Sequence, residues 1–307
     1  MIACDAFSFL LEALLDPGTC VVLGAGASAP DLPLVGQIAD AVGPHAVEVG
    51  SYPAERLPPS PARSLIKPAH FDLSFLEYWK RSQLTDAAAN LCLAQIFGRQ
   101  RPCPPQYTVF RCFAHEMIAF SFNWDGLAEQ CMSQVVISPH GVAKAPCRDD
   151  EFVSLLEDAQ LFDESGSSLF RSPGLVYPGE EATATRPYQR VLEIVLRHRT
   201  KLVVIGYGFG LLAEHDRVWR EILVGVTSKF PTPTVFVSPD ARELTGCLED
   251  FARHSLTLPV VANWYHFSRA LHRLWAQGVC TRSMIADSRR LRYEYHRLAD
   301  GGLEVRA

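Results

Sequence analysis

Short runs of apolar, mostly β-branched residues recur along this chain, and most of them end abruptly at a glycine or a polar residue. Such runs are typical of strands buried on both faces of a parallel sheet. From residue 187 onward they alternate with helical patterns, so the sequence predicts an α/β fold, a doubly wound parallel Rossmann-like sheet with helical insertions. The predicted strands are 21–23, 117–122, 135–141, 201–206, 234–238 and 258–262. The main helices are predicted at 34–42, 108–116, 187–199, 214–226 and 265–277.

Length and composition favour one large core. A chain of 307 residues with 48% hydrophobic content can form a single α/β domain that carries insertions. We assign the sheet domain to 1–280, with insertions at about 43–106 and 142–186, and a C-terminal extension to 281–307. The first 18 residues predict an amphipathic helix. We expect it and the segment RRLRYEYHR (289–297) to lie outside the core as contact surfaces, with a solvated helix face as the alternative for 289–297.

Charge and cysteine usage exclude several classes of protein. A net charge of −5 argues against broad affinity for nucleic acids or membrane surfaces. The chain has no apolar run of membrane-spanning length and no basic segment ahead of its apolar start, so we expect a cytoplasmic protein. The nine cysteines contain no CxxC pair, which predicts unpaired, buried thiols and no bound metal. Glu214, His215 and Asp216 are adjacent and point in different directions on a helix, so they do not predict a metal site.

The segment VVLGAGASAP (21–30) joins a predicted strand to a turn that could bind phosphate. Gly24, Ala25 and Gly26 lack bulk, so the backbone can turn tightly and approach a ligand closely. Ser28 could donate to a phosphate or cap the element that follows. Two of the three glycine positions of a dinucleotide fingerprint are present, and the third is Ala29. The motif alone leaves two interpretations open, a pyrophosphate site and a bare strand-to-helix turn.

Small or polar residues also follow the later predicted strands. In a doubly wound sheet, ligands bind at the carboxyl ends of the strands, so these residues are the candidates for a site. Each has a structural alternative: Asn and Asp are preferred helix caps, the histidine could be a turn residue, and glycines mark tight turns. The candidates are Asn123, Asp125, His140, Gly206, Gly208 and Ser238.

The elements GAGAS, SFNWDGLAE, PHG, VVIGYGFG and VFVSPDA occur in an order that resembles sirtuin-like proteins, in particular the bacterial sirtuin-like defence families. The resemblance spans roughly 20–270. It implies that Gly24, Ala25 and Gly26 hold the pyrophosphate of NAD and that Asn123 and Asp125 lie by the nicotinamide ribose. It further implies that His140 is a base near the ribose hydroxyls. Gly206, Gly208 and Ser238 would line the adenosine side.

The resemblance implies an NAD glycohydrolase that releases nicotinamide and ADP-ribose, with NAD as its substrate. It would act as the effector of an antiphage system, as a homo-oligomer or with a partner such as a HerA-type ATPase. Two other interpretations remain: a non-catalytic nucleotide-binding sensor or assembly subunit, and a protein deacylase. Sirtuins that remove acyl groups carry a four-cysteine zinc module, and the cysteine spacing here does not provide one.

Overall fold

Six parallel strands form one sheet in the order β3-β2-β1-β4-β5-β6. The computed structural model describes residues 6–32, 97, 102–143, 186–208, 217–230, 232–247 and 257–300. Its strands are β1 (Thr19–Leu23), β2 (Ile118–Ser121), β3 (Val135–Ile137), β4 (Lys201–Ile205), β5 (Thr234–Ser238) and β6 (Thr257–Val261). This is the strand order of a Rossmann fold, so the predicted fold class is confirmed.

Alternating side chains on the central strands divide the core into two layers, one on each face of the sheet. Val21, Leu23 and Ile205 belong to the first layer, whereas Val22 and Val204 belong to the second. The register pairs Leu23 with Ile205 on one side and with Ser121 on the other. Both faces of the central strands are therefore buried, which explains why these strands are nearly continuous apolar runs.

Helices cover both faces of the sheet. The first layer is covered by α1 (Ala6–Leu15), α3 (Pro105–Thr108), α4 (Leu127–Cys131), α8 (Trp264–Ala276), α9 (Thr281–Ala286) and α10 (Ser288–Ala299). The second layer is covered by α5 (Arg186–His198), α6 (Arg217–Lys229) and the start of α7 (Ala241–Cys247). A short helix, α2 (Ala25–Ser28), follows β1 directly.

Both terminal segments pack into the core, which corrects the expectation that they lie outside it. Leu10 and Leu14 of α1 are fully buried. Leu291 of α10 is also fully buried, and α10 packs along α8. Tyr293 remains 68% exposed, so only one side of α10 faces solvent. None of the helices in the described ranges is both long and apolar enough to cross a membrane.

The segment predicted as a helix over 108–116 has a different structure. Helix α3 ends at Thr108, a 3-10 turn covers Val109–Cys112, and residues 113–116 are not helical. The predicted helix at 34–42, most of both insertions and the Glu214–Asp216 cluster lie outside the described residues.

The prediction that all cysteines are unpaired and buried is wrong. Cys103 and Cys131 form a disulfide, with their Cα atoms 5.4 Å apart, a separation that permits the bond without backbone movement. Cys112 and Cys280 are free and exposed, whereas Cys20 is free and buried. Burial raises the pKa of the Cys20 thiol to about 12, so that thiol is unreactive near neutral pH.

Candidate functional site

The strand order reverses between β1 and β4, and doubly wound sheets have their ligand crevice outside the carboxyl ends of the two strands at this reversal. The chain continues from β1 to β2 and β3 on one side of the sheet, whereas β4 to β6 lie on the other. Backbone hydrogen bonds extend the ladder beyond the strands, from Gly24 N to Ile205 O at 3.0 Å and from Gly26 N to Gly206 O at 2.9 Å. Ligands of doubly wound sheets bind at such a switch point.

The glycines at this crevice pack against one another. A Cβ atom on Gly24 would lie 2.6 Å from Gly206 O, and one on Gly26 would lie 2.8 Å from Gly206 Cα. Gly206 itself has a φ of 60°, a conformation that favours glycine. The three glycines are thus required for contact between the β1 and β4 turns. This packing reason is independent of any approach to a pyrophosphate, which stays a prediction.

Asn123 lies just beyond β2 and is hydrogen-bonded to the first turn. Its Nδ2 donates to Gly24 O at 3.0 Å, to Tyr107 Oη at 3.0 Å and to Ser28 Oγ at 3.1 Å. The side chain is 6% exposed. The structure therefore brings the predicted catalytic asparagine into direct contact with the predicted pyrophosphate turn.

Asp125 joins the same buried group of side chains. Ser28 donates to Asp125 Oδ2 at 2.5 Å, and the backbone N–H of Leu127 donates to Asp125 Oδ1 at 2.8 Å. The second contact reaches the first residue of α4, whose N-cap position is Gly126, so Asp125 lies one residue ahead of the cap. Asp125 is 9% exposed and Ser28 is 2% exposed. Because the Ser28 hydroxyl already donates to a carboxylate, its predicted contact with phosphate has a competitor within the protein.

His140 packs against aromatic residues of the second core layer, on the other face of the sheet. Its ring centroid lies 5.0 Å from that of Phe122 and 6.2 Å from that of Trp219, both in edge-on contacts. Phe122 also stacks on Tyr207 at 4.5 Å. Phe122 and Asn123 are adjacent residues just beyond β2. Phe122 contacts His140, whereas Asn123 is hydrogen-bonded to the β1 turn.

The remaining predicted residues follow β1, β4 and β5. Gly208 is exposed, and a Cβ atom there would meet nothing within 4 Å. Ser238 ends β5, and its Oγ accepts a hydrogen bond from Asp240 N at 3.2 Å. Ala25 begins α2 and is partly exposed. These residues share the carboxyl edge of the sheet with the crevice but make none of the polar contacts that join Asn123 to Ser28.

Tyr107 is the central residue that sequence reasoning missed. Its hydroxyl lies 2.6 Å from Ser28 Oγ, and the residue is fully buried. Burial, with the Asp125 carboxylate nearby, raises the pKa of Tyr107 well above its ordinary value of 10.0, so the phenol is neutral. The sequence does contain a signal for α3, because Pro105 stands at the first helical position, which favours proline. The other prolines nearby make the segment resemble a loop.

The position of Tyr107 is fixed by contacts on both sides of α3. Gln106 Nε2 donates to Asp31 Oδ2 at 2.8 Å and to Ala29 O at 3.3 Å. The indole N–H of Trp264 donates to Gln106 O at 2.9 Å, and the Cys103–Cys131 disulfide fastens the segment before α3 to α4. The fold therefore sets the position of the Tyr107 hydroxyl.

Within the described part of the chain, no group of three or more His, Cys, Asp or Glu side chains could hold a metal ion. The expectation of a metal-free site stays a prediction, since Glu214, His215 and Asp216 lie outside the described residues.

Comparisons with known proteins give limited information. No protein-family model matches the chain, and no curated protein matches it at a significant level. Alignments with solved structures include Sir2 in complex with the inhibitor EX-527, 2'-O-acetyl-ADP-ribose and deacetylated p53 peptide, at 18% identity and a TM-score of 0.42 over 88% of this chain and 99% of that chain. A second solved structure, from work on the mechanism and regulation of Sir2 enzymes, aligns at 16% identity and a TM-score of 0.39 over 81% of this chain and 98% of that chain. With TM-scores below 0.5, these likenesses carry no weight for function, and the fold assignment rests on the strand order.

Proposed function

We propose that this chain binds NAD in a crevice outside the carboxyl ends of β1 and β4 and hydrolyses its nicotinamide–ribose bond. The observation that carries the proposal is the 3.0 Å contact between Asn123 Nδ2 and Gly24 O. It joins the candidate catalytic amide to the turn at which a doubly wound sheet binds pyrophosphate. The order of the motifs, which resembles that of sirtuin-like proteins, supports the choice of NAD.

Cleavage of this bond develops positive charge at the anomeric carbon of the ribose. The attacking water forms the new C–O bond, nicotinamide leaves with the electrons of the C–N bond, and one proton is released. Asn123 positions the water or the ribose, since a neutral amide does not compete as a nucleophile. His140 takes the proton, because an imidazole can accept one near neutral pH. The products are nicotinamide and ADP-ribose.

The direct test is incubation of the purified full chain with NAD, alone and with the products of neighbouring genes, followed by identification of the products by mass. The proposal predicts nicotinamide and ADP-ribose from the wild type and none from Asn123→Ala. Thr227→Val is a matched control, because Thr227 is a buried hydroxyl of α6 whose hydrogen bonds, among the described residues, stay within its own helix. An Asn123→Ala variant that cleaves NAD at the wild-type rate would remove Asn123 from the mechanism.

One observation favours a second candidate, a subunit that binds a nucleotide without turnover. Both amide hydrogens of Asn123 are used in contacts within the protein, as they would be for a purely structural residue. The same assay separates the two functions, because a sensor binds NAD in calorimetry and releases no nicotinamide.

The biological setting is a further part of the proposal. The motif resemblance supports an effector that depletes NAD during phage infection, regulated by self-assembly or by a partner such as a HerA-type ATPase. Expression in a bacterial host should then lower both the NAD pool and the number of phage plaques, whereas expression of Asn123→Ala should lower neither.

A further inference from the structure

Four buried side chains form a continuous hydrogen-bonded group beneath the crevice. Tyr107, Ser28, Asn123 and Asp125 are 0%, 2%, 6% and 9% exposed. Ser28 is the centre of the group, because its Oγ contacts all three of the other side chains. Within so buried a group, each hydrogen has a definite acceptor.

The direction of these hydrogen bonds follows from the number of hydrogens that each group carries. The Asp125 carboxylate accepts from Leu127 N and from Ser28, so the single hydroxyl hydrogen of Ser28 is used there. Tyr107 must then donate its own hydrogen to Ser28 Oγ across their 2.6 Å contact. The Tyr107 oxygen is left as an acceptor, which Asn123 Nδ2 occupies at 3.0 Å.

The Gly24 carbonyl, together with this direction, determines which end of the Asn123 carboxamide faces the group. The Gly24 carbonyl can only accept, so an amide oxygen placed 3.0 Å from it would give two acceptors in contact. The NH2 group therefore points inward, and the amide oxygen Oδ1 points away from the group. No hydrogen bond to Oδ1 comes from the residues that the structure describes.

We propose that Ser28 is a positioning residue that keeps the Asn123 amide oxygen facing the crevice by taking the hydrogen of Tyr107. The inference rests on the proposed function, and it deepens that function by naming what Asn123 offers a substrate, a hydrogen-bond acceptor. Such a group recognises a donor, either a ribose hydroxyl or the attacking water. The role differs from the phosphate contact predicted for Ser28 from the sequence.

Two single variants should differ in their effect on the orientation of the Asn123 amide. Ser28→Ala leaves the Tyr107 hydrogen without its acceptor. The hydrogen then turns to Asn123, where a bond to the amide oxygen competes with the bond from the NH2 group to Gly24 O. Tyr107→Phe removes that hydrogen but leaves Asn123 two acceptors, Gly24 O and Ser28 Oγ, for its two hydrogens. The double variant removes the stray hydrogen as well as its acceptor, so the Gly24 carbonyl alone holds the NH2 group in its original orientation.

The test measures nicotinamide release and the hydrogen exchange of the Asn123 side-chain NH2 group by NMR, with its signals assigned from Asn123→Ala. Ser28→Ala should lower kcat by about 10- to 100-fold, the scale of a misplaced catalytic group, with KM little changed and fast NH2 exchange. Tyr107→Phe should lower kcat by no more than about threefold, because the amide keeps two acceptors. Adding Tyr107→Phe to Ser28→Ala should restore kcat and the protection of the amide hydrogen that donates to Gly24 O.

A group that only stabilised the fold would respond differently. The double variant would then be at least as impaired as Ser28→Ala, and that result would overturn the proposal. NH2 exchange is measured without turnover, so the proposed amide orientation can be tested independently of the proposed hydrolysis of NAD. A wild type that releases no nicotinamide but shows the predicted exchange pattern refutes hydrolysis and supports the amide orientation. Equal NH2 protection in Ser28→Ala and the wild type refutes the orientation even if NAD is cleaved.

Discussion

Replacement of Gly26 by alanine should destabilise the protein through the contact between its two central turns. A Cβ atom there would lie 2.8 Å from Gly206 Cα and 3.1 Å from Gly206 O, whereas non-bonded carbons prefer about 3.5–4.0 Å. The turns would have to separate, and the Gly26 N to Gly206 O bond, now 2.9 Å, would lengthen. Overpacking of about 1–3 kcal/mol and a weakened hydrogen bond of about 1 kcal/mol give a loss of about 2–4 kcal/mol.

Urea unfolding followed by tryptophan fluorescence measures this loss, and Gly208→Ala is the matched control. A Cβ atom on Gly208 would meet nothing within 4 Å, so the control should change the free energy of unfolding by less than about 0.5 kcal/mol. If Gly26→Ala were as stable as Gly208→Ala but bound NAD more weakly, the glycine would serve ligand approach, and the packing explanation would be refuted.

Three further predictions concern an ion pair, the disulfide and the histidine. Asp16→Asn should lower stability by about 1 kcal/mol at neutral pH, because the hydrogen-bonded Lys201, 2.6 Å away, holds the pKa of Asp16 below its ordinary value. This contribution is fully present above the pKa of Asp16 in the unfolded chain, so in urea titrations the difference should begin to shrink below about pH 4 and vanish only below the lowered pKa of the folded protein; a pH-independent difference would contradict this account. Cys103→Ser should lower the free energy of unfolding by about 3–4 kcal/mol in thermal unfolding, because the disulfide closes a loop with a sequence separation of 28. A Cys103→Ser variant as stable as Cys112→Ser, which removes a free, exposed cysteine, would argue against this. His140→Ala should slow nicotinamide release by about 10²–10⁴-fold; an unchanged rate would leave His140 as a turn residue.

The strands could be predicted because burial on both faces of a strand requires a continuous apolar run. The run TVFVS predicts a strand at 234–238, and β5 spans Thr234–Ser238. β1 begins at Thr19, two residues before the predicted start, because Thr19 and Cys20 are buried strand residues that the apolar pattern undercounts. Strand ends also located Asn123, since a polar residue after a buried run lies at the carboxyl edge of the sheet.

Features that depend on tertiary contact could not be read from local patterns. Tyr107 lies 79 residues from Ser28 in sequence, and nothing in PPQYT indicates that its hydroxyl reaches that residue. The Cys103–Cys131 pair has no spacing signature. Helix α1 is buried partly because it packs against α9 and α10. The amphipathic pattern of the N-terminal segment indicates that one side of the helix is buried, but it does not show which elements cover that side.

The central claim is that Asn123, held against the β1 turn, acts on NAD bound in the crevice. The most direct measurement compares Asn123→Ala with the wild type for both NAD affinity by calorimetry and nicotinamide release by mass. The account predicts that the variant binds NAD with an affinity close to that of the wild type and releases no nicotinamide, because the substitution removes the amide and leaves the glycine turns in place. Nicotinamide release by Asn123→Ala at the wild-type rate, or no binding of NAD by the wild type, would contradict it.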